Sequence, residues 1–201
     1  HASGCVVTDV DGNRYIDWTS GVLVTNVGHC HPRLVEAVKH ASERLLNNYE
    51  CANVERIAAA QDLVATLPEH LNQCFFLSTG SETTEAATRL MKRATGKYEI
   101  ISFDGAFHGR TSAAAALGGL AGPKRGYGPS LPGIIRVPYP NPYRDPYGWC
   151  DDGPEFGPYF EHIESVIASN STGSVAGIMV EPYQGAGGFI FPPSGWLRRL
   201  Q

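Results

Sequence analysis

Three short stretches of the chain hold residue types that chemistry calls for: STGSE at 78–82, DGAFHGR at 104–110 and EPYQG at 181–185. In the first, small hydroxyl residues surround Gly80 between an apolar stretch and a helical-looking run. A chain that turns at a glycine into a helix start leaves several backbone N–H groups unpaired. The helix dipole adds partial positive charge at the same place. Such a junction suits a phosphate or a carboxylate. Taken alone, it also describes a plain capped helix, because Thr79 and Glu82 fit the S/T-x-x-E capping box. Glu181, a carboxylate beside a glycine-rich turn, has few purely structural reasons to stand there. The H-x-H pair His29 and His31 invites a metal. Two histidines without cysteine or carboxylate at ligand spacing make a poor zinc site, and no metal is expected.

The elements that must carry these stretches can be read from periodicity. CVVTDVDGNRYIDW alternates around Asp11-Gly12 and predicts a type I′ hairpin. Pro32 suits the first position of a helix whose apolar face is Leu34, Val35, Val38, Ala41, Leu45 and Leu46. A second helix starts after Asn53, carries Ile57, Ala60, Val64 and Leu67, and stops at Pro68. CFFL, at 74–77, reads as a short buried strand. The helix after it has Ala86, Ala87, Leu90, Met91 and Ala94 on one face, Lys92 and Arg93 in its last turn, and Gly96 as its stop. YEIISF follows as a strand, so the unit implies a parallel pair with a right-handed crossover. Residues 118–157 are dense in Gly, Pro and Tyr with one short apolar piece, GIIRV, and such long excursions are more often functional than idle. A helix through Phe156, Tyr159, Phe160, Ile163, Val166 and Ile167 then precedes the strand VAGIMV. Strands alternating with helices give an α/β fold. Ligands in open α/β sheets gather at the carboxyl ends of strands, and all three stretches directly follow predicted strands. They should converge on one edge.

Composition narrows the class. Of the 201 residues, 42% are hydrophobic and 18% charged, with a net charge of −4, so no electrostatic case for nucleic acid arises. No apolar run is long enough to span a bilayer as a helix. Five scattered cysteines, Cys5, Cys30, Cys51, Cys74 and Cys150, form no C-x-x-C pair. They favour a reduced compartment over a disulfide framework. The chain opens at His1 and closes on SGWLRRLQ, which reads as the first turns of a helix, so it is expected to be a piece of something longer.

Four motifs in order, SGVLVTNVGHCHP, FFLSTGSETTEAATRLMKRATG, GAFHGRT and VEPYQGAGGFIFPPSGWLRRL, together resemble the class III aminotransferases. These are fold type I enzymes that use pyridoxal 5′-phosphate (PLP). The resemblance spans nearly the whole chain. It leans toward 4-aminobutyrate, ornithine and acetylornithine aminotransferases, with dialkylglycine decarboxylase and glutamate semialdehyde aminomutase as cousins. It implies that the turn at Gly80 and Ser81 cups the PLP phosphate through backbone N–H groups and the Ser81 hydroxyl. Phe107 would lie over the pyridine ring, with His108 beside it. Arg110 falls where several members bind a distal substrate carboxylate, a role its planar guanidinium suits better than a lysine. Glu181 matches a glutamate near the substrate, with Gln184 in support, and Val22 matches a pocket-wall position. The histidine segment becomes part of a dimer interface.

The resemblance also implies what to expect of the chain as a whole. Residues 1–50 would be the N-terminal segment and interface helix. Residues 51–201 would be the first part of the PLP-binding large domain, with a mostly parallel sheet and the chain truncated. The family's Schiff-base lysine and pyridine-pairing aspartate lie in motifs that have no match among these 201 residues. No catalytic lysine is therefore assigned, and the chain alone is expected to be inactive. The function implied is PLP-dependent transamination between an amine or ω-amino acid and a 2-oxo acid, in a homodimer whose active site lies at the interface. A decarboxylase or aminomutase on the same scaffold, or a non-catalytic binding fragment, stays open. The expected location is cytoplasmic, with a mitochondrial one open as well.

Overall fold

Alternating residues after Gly4 do form a hairpin, although its turn is not the one expected. The computed structural model describes residues 1–44, 47–49, 51–149 and 156–201. They divide into two compact units, His1–Cys74 and Phe75–Gln201. This boundary is one of packing, whereas the division expected at residue 50 was one of role.

In the first unit, β1 (Ala2–Ser3), β2 (Val6–Thr8) and β3 (Arg14–Ile16) make an antiparallel sheet in chain order. Thr8 pairs with Arg14, so five residues form the turn. Only Gly12 within it takes a positive φ, and a type I′ turn needs two such residues. Asp9 is the reason: its carboxylate accepts from the backbone N–H groups of Asp11 and Asn13, the Asn13 amide and the Tyr15 hydroxyl. An aspartate gathering nearby donors builds a wider loop than Asn-Gly chemistry alone. The turn α1 (Ser20–Leu23) is left-handed, with φ between +52° and +65° at all four residues. Val22 is β-branched, so this is strained backbone. It is held by Asp17, which accepts from Thr19 and Gly21 and meets His29 Nε2 at 2.7 Å. Then come α2 (Pro32–Ser42), opening on Pro32 as expected, and α3 (Val54–Val64), capped by the Asn53 side chain. Leu45 and Leu46 of the expected α2 face lie outside the described residues. Helix α3 stops three residues short of Leu67, where the Thr66 hydroxyl takes the Leu63 carbonyl.

The second unit runs α4 (Gly80–Thr95), β4 (Glu99–Phe103), α5 (Ser112–Leu117), β5 (Ile134–Val137), α6 (Gly157–Asn170), β6 (Val175–Ile178) and α7 (Trp196–Leu200). The sheet order is β5–β4–β6, all parallel. Residues of β4 are buried along its whole length and alternate between two faces. Ile101 and Phe103 join Val137, Tyr159, Ile163 and Trp196 in the main core, while the Ser102 hydroxyl, on the other face, donates to Leu117 O in α5. Each large side chain fully buried there contributes about 1.5–3 kcal/mol.

Two expectations fail here. CFFL forms no strand, and Phe75 is 77% exposed. Strands exist by pairing, and both edges of β4 are taken, by β5 and β6. The parallel pair expected across α4 is therefore not made. GIIRV, the short apolar piece within the long excursion, supplies β5.

Candidate cofactor site

Helix α4 begins where the capping pattern places it. The Thr79 hydroxyl accepts from the Glu82 N–H at 3.2 Å. The return arm of the box is altered: Glu82 accepts from the backbone N–H and hydroxyl of Ser78, not from Thr79. Those bonds hold the Glu82 carboxyl below the usual glutamate range. Thr83 N–H donates to Thr79 O. Among the described residues, the N–H groups of Gly80 and Ser81 find no acceptor, and nothing lies within 4 Å of where a Cβ on Gly80 would stand. Two unspent donors thus stand at the positive end of a 16-residue helix, with the space beside Gly80 open. The opposite end closes on Gly96 at φ +68°, a left-handed stop that glycine adopts without strain.

The second stretch, after β4, is pinned directly onto this helix. Arg110 N–H donates to Ser81 Oγ at 3.1 Å, which leaves the Ser81 hydroxyl proton free to donate elsewhere. The Thr84 hydroxyl donates to His108 O at 2.8 Å. Glu85 accepts from the Thr111 hydroxyl at 2.6 Å and from Ala113 N–H at 2.9 Å, capping α5. Burial raises the Glu85 carboxyl, but these bonds outweigh it and the net direction is down. The chain passes α4 so closely at Gly109 that a Cβ there would stand 2.4 Å from Ser81 Oγ and 2.9 Å from Ser81 Cα. Its φ is +134°, so only glycine meets both demands.

Glu181 ties the third stretch to the second. One carboxylate oxygen accepts from Phe107 N–H at 2.8 Å, the other from Gly185 N–H at 3.1 Å. The Glu181 carbonyl accepts from the Tyr139 hydroxyl. Burial, then the Glu181 charge, pushes the Tyr139 phenol up to about 12. Gln184 is fully buried and donates to Asp104 O at 2.7 Å. The three stretches do converge on one edge of the sheet.

Phe107 is half-buried, with Arg110 Cζ 5.7 Å from its ring centre. The Arg110 guanidinium has no oxygen partner among the described residues. His108 Nε2 is buried and has no hydrogen-bond partner among the described residues. Burial lowers the His108 pKa, and the nearby Glu181 charge only partly opposes this. Val22, in the first unit, is 79% exposed and so is not the buried core valine that is the ordinary reading of such a residue. His29 pairs with Asp17, and no group of metal-ligating side chains occurs among the described residues. Cys5, Cys30, Cys51 and Cys74 are free thiols, and Cys150 lies outside the described residues.

Sequence patterns do not single out Thr84, Glu85, Gly109 or Tyr139. A signal for the first two did exist. Ser81, Thr84, Glu85 and Thr88 fall at i, i+3, i+4 and i+7, a polar stripe opposite the apolar face. For Gly109 and Tyr139 no local pattern exists, since each acts across a long sequence separation.

The family model for Aminotransferase class-III matches residues 1–201. Acetylornithine aminotransferase of Methanopyrus kandleri is 34% identical over 98% of this chain and 46% of its own length. Among solved structures, an (S)-enantioselective omega-transaminase from Thermomicrobium roseum superposes with a TM-score of 0.88 at 29% identity, over 100% of this chain and 46% of that one. Taurine:2-oxoglutarate aminotransferase from Bifidobacterium kashiwanohense, solved in complex with PLP and glutamate, gives 0.86 at 28% identity, over 100% and 46%. The chain thus spans about half the length of the curated relatives it matches. The family model's match over residues 1–201, together with the α/β fold and its parallel sheet, places the chain in the class III aminotransferase family.

Proposed function

We propose that the intact protein is a PLP-dependent aminotransferase, transferring an amino group from an amine or ω-amino acid to a 2-oxo acid as a homodimer. The observation that carries this is the pair of unspent N–H groups at Gly80 and Ser81, fixed beside Phe107 and His108. It fits a phosphate ester: two backbone donors without acceptors and one free hydroxyl proton stand at the positive end of a long helix, and the space beside Gly80 is open. PLP, when bound, supplies the electron sink for carbanion chemistry.

The residues of this chain then bind and orient. Gly80 and Ser81 hold the phosphate oxygens. Phe107 offers a flat apolar face, and its position is fixed through its own N–H by Glu181. Burial lowers the His108 pKa, which favours the neutral imidazole beside Phe107. Gln184 and Glu181 keep the two loops in register. Arg110 is free to grip a substrate carboxylate.

Amide hydrogen exchange on the intact protein tests this, with inorganic phosphate or PLP added. Protection at Gly80 and Ser81 is expected, alongside amino transfer from an amine donor to a 2-oxo acid. No change in exchange at these two amides with either ligand, in a folded sample, means that the phosphate cup is misassigned.

A further inference from the structure

Local propensity and burial are both violated at one short stretch of the first unit. Ser20, Gly21, Val22 and Leu23 lie in the left-handed basin, with φ from +52° to +65°, and three of the four carry a Cβ. Each such residue is disfavoured by roughly tenfold against the right-handed basin. A β-branched valine there is a true outlier. No burial offsets this, because Val22 and Leu23 are both exposed. Beside the turn, the Thr25 hydroxyl is buried with no hydrogen-bond partner among the described residues, 3.7 Å from where a Cβ on Gly21 would stand. Strain of this kind gathers at ligand clamps and switch segments.

What holds the turn lies outside it. Asp17 Oδ1 accepts from the Thr19 N–H at 2.8 Å and the Thr19 hydroxyl at 2.9 Å. Its Oδ2 accepts from the Gly21 N–H at 3.1 Å and meets His29 Nε2 at 2.7 Å. Both partners are anchored by backbone. Asp17 N–H donates to Cys5 O at 2.8 Å, while His29 and Gly4 exchange N–H bonds at 2.8 and 3.0 Å. The His29 and Thr19 bonds hold the Asp17 carboxyl well below the usual carboxylate range, so it stays ionised. Asp9, in the same unit, also gathers four donors, yet only Gly12 in its turn takes a positive φ. The Asp9 turn is an ordinary loop. The Asp17 turn is a sprung one.

We propose that Asp17, braced by His29, is a positioning residue that holds this sprung turn so that Val22 and Leu23 present a fixed apolar wall to the amine substrate. Asp17 thereby sets the size of donor accepted without touching it. This rests on the transaminase reading and goes beyond it by naming the residues that fix the wall position given to Val22 by resemblance. A side chain fixed by its own packing needs no latch. Here the turn has two states, wound left-handed or relaxed, and the carboxylate tips the balance to the first.

Variants of the intact protein test this by hydrogen exchange, urea unfolding and amine kinetics. Asp17→Asn keeps one acceptor oxygen but sets an amide donor against the donors that Asp17 now collects. Exchange at Gly21 should rise at least tenfold. For propylamine, kcat/KM should fall about tenfold through KM, the bias of one left-handed residue, while for the bulkier phenethylamine it should fall less than threefold. Ser20→Gly is the decisive variant. Glycine ordinarily costs stability, but at φ +52° it removes strain, so the urea midpoint should rise and exchange at Gly21 should slow. Added to Asp17→Asn, it should bring the propylamine loss to within threefold. Asp9→Asn, which weakens a carboxylate with as many bonds, should lower the midpoint and leave the ratio between the two amines unchanged. An unchanged ratio in Asp17→Asn, a lowered midpoint in Ser20→Gly, or an equal change of ratio in Asp9→Asn overturns the proposal. If Asp17→Asn does not fold, the midpoint and Gly21 exchange of Ser20→Gly alone decide. Failure of the unaltered protein to bind PLP or to form product from any amine, seen by absorbance and product analysis, instead overturns the transaminase reading beneath it.

Discussion

Replacing Gly109 with alanine should damage the cofactor site through the backbone rather than through chemistry. The new methyl group would stand 2.9 Å from Ser81 Cα and 2.9 Å from Ala114 Cβ, both held in helices, and 2.4 Å from Ser81 Oγ. At φ +134° an alanine is strained by about 1–3 kcal/mol before any clash is counted. Overpacking against two helices adds about 1–3 kcal/mol. The loop can move away, but only by breaking the Arg110–Ser81 and Thr84–His108 bonds, each worth about 0.5–1.5 kcal/mol. The cheaper route sets the expectation, a loss of about 1–3 kcal/mol by urea unfolding of the intact protein. PLP affinity should fall with it, because the same shift moves Phe107. The double variant with Ser81→Ala separates the causes. It removes the clash with the Ser81 hydroxyl but keeps both the clash with the Ser81 backbone and the strained φ, so it should recover less than half of the loss. Full recovery in the double variant, or a loss below about 0.5 kcal/mol in the single one, refutes this reasoning.

Two further outcomes follow from the same geometry. Glu181→Gln places an amide where both carboxylate oxygens accept backbone N–H bonds, and should cost about 1–3 kcal/mol while raising hydrogen exchange at Phe107 and Gly185. For His108 the folded pKa lies below its ordinary value of 6.5, so the unfolded chain binds the proton first. Stability should therefore fall as pH drops from 6.5 through the folded pKa. His108→Asn should flatten that slope, and an unchanged acid limb in denaturant titrations would count against burial as its cause.

Local chemistry was legible where a pattern closes within a few residues. The Thr79–Glu82 cap, Pro32 at a helix start, the Asn53 cap and the Gly96 stop all act within one turn, and all stand where expected. The hairpin was legible too, but its turn depended on which donors Asp9 would collect. Strands were harder, because a strand is made by its partner. CFFL has the composition of one and pairs with nothing among the described residues. GIIRV has the look of a scrap and runs along β4 in parallel register.

For the candidate site, residue types announced three stretches and a common edge, and family motifs supplied roles for Gly80, Ser81, Phe107, His108, Arg110 and Glu181. The tertiary structure decided how they are held. Glu181 meets Phe107 across 74 residues and Arg110 meets Ser81 across 29. It also decided that Gly109 must lack a side chain. Sequence by itself determines propensity, capping and charge, which are properties of neighbours along the chain. Hydrogen bonds between loops and close approach of backbones depend on distances through space, and only the packing of strands and helices sets those.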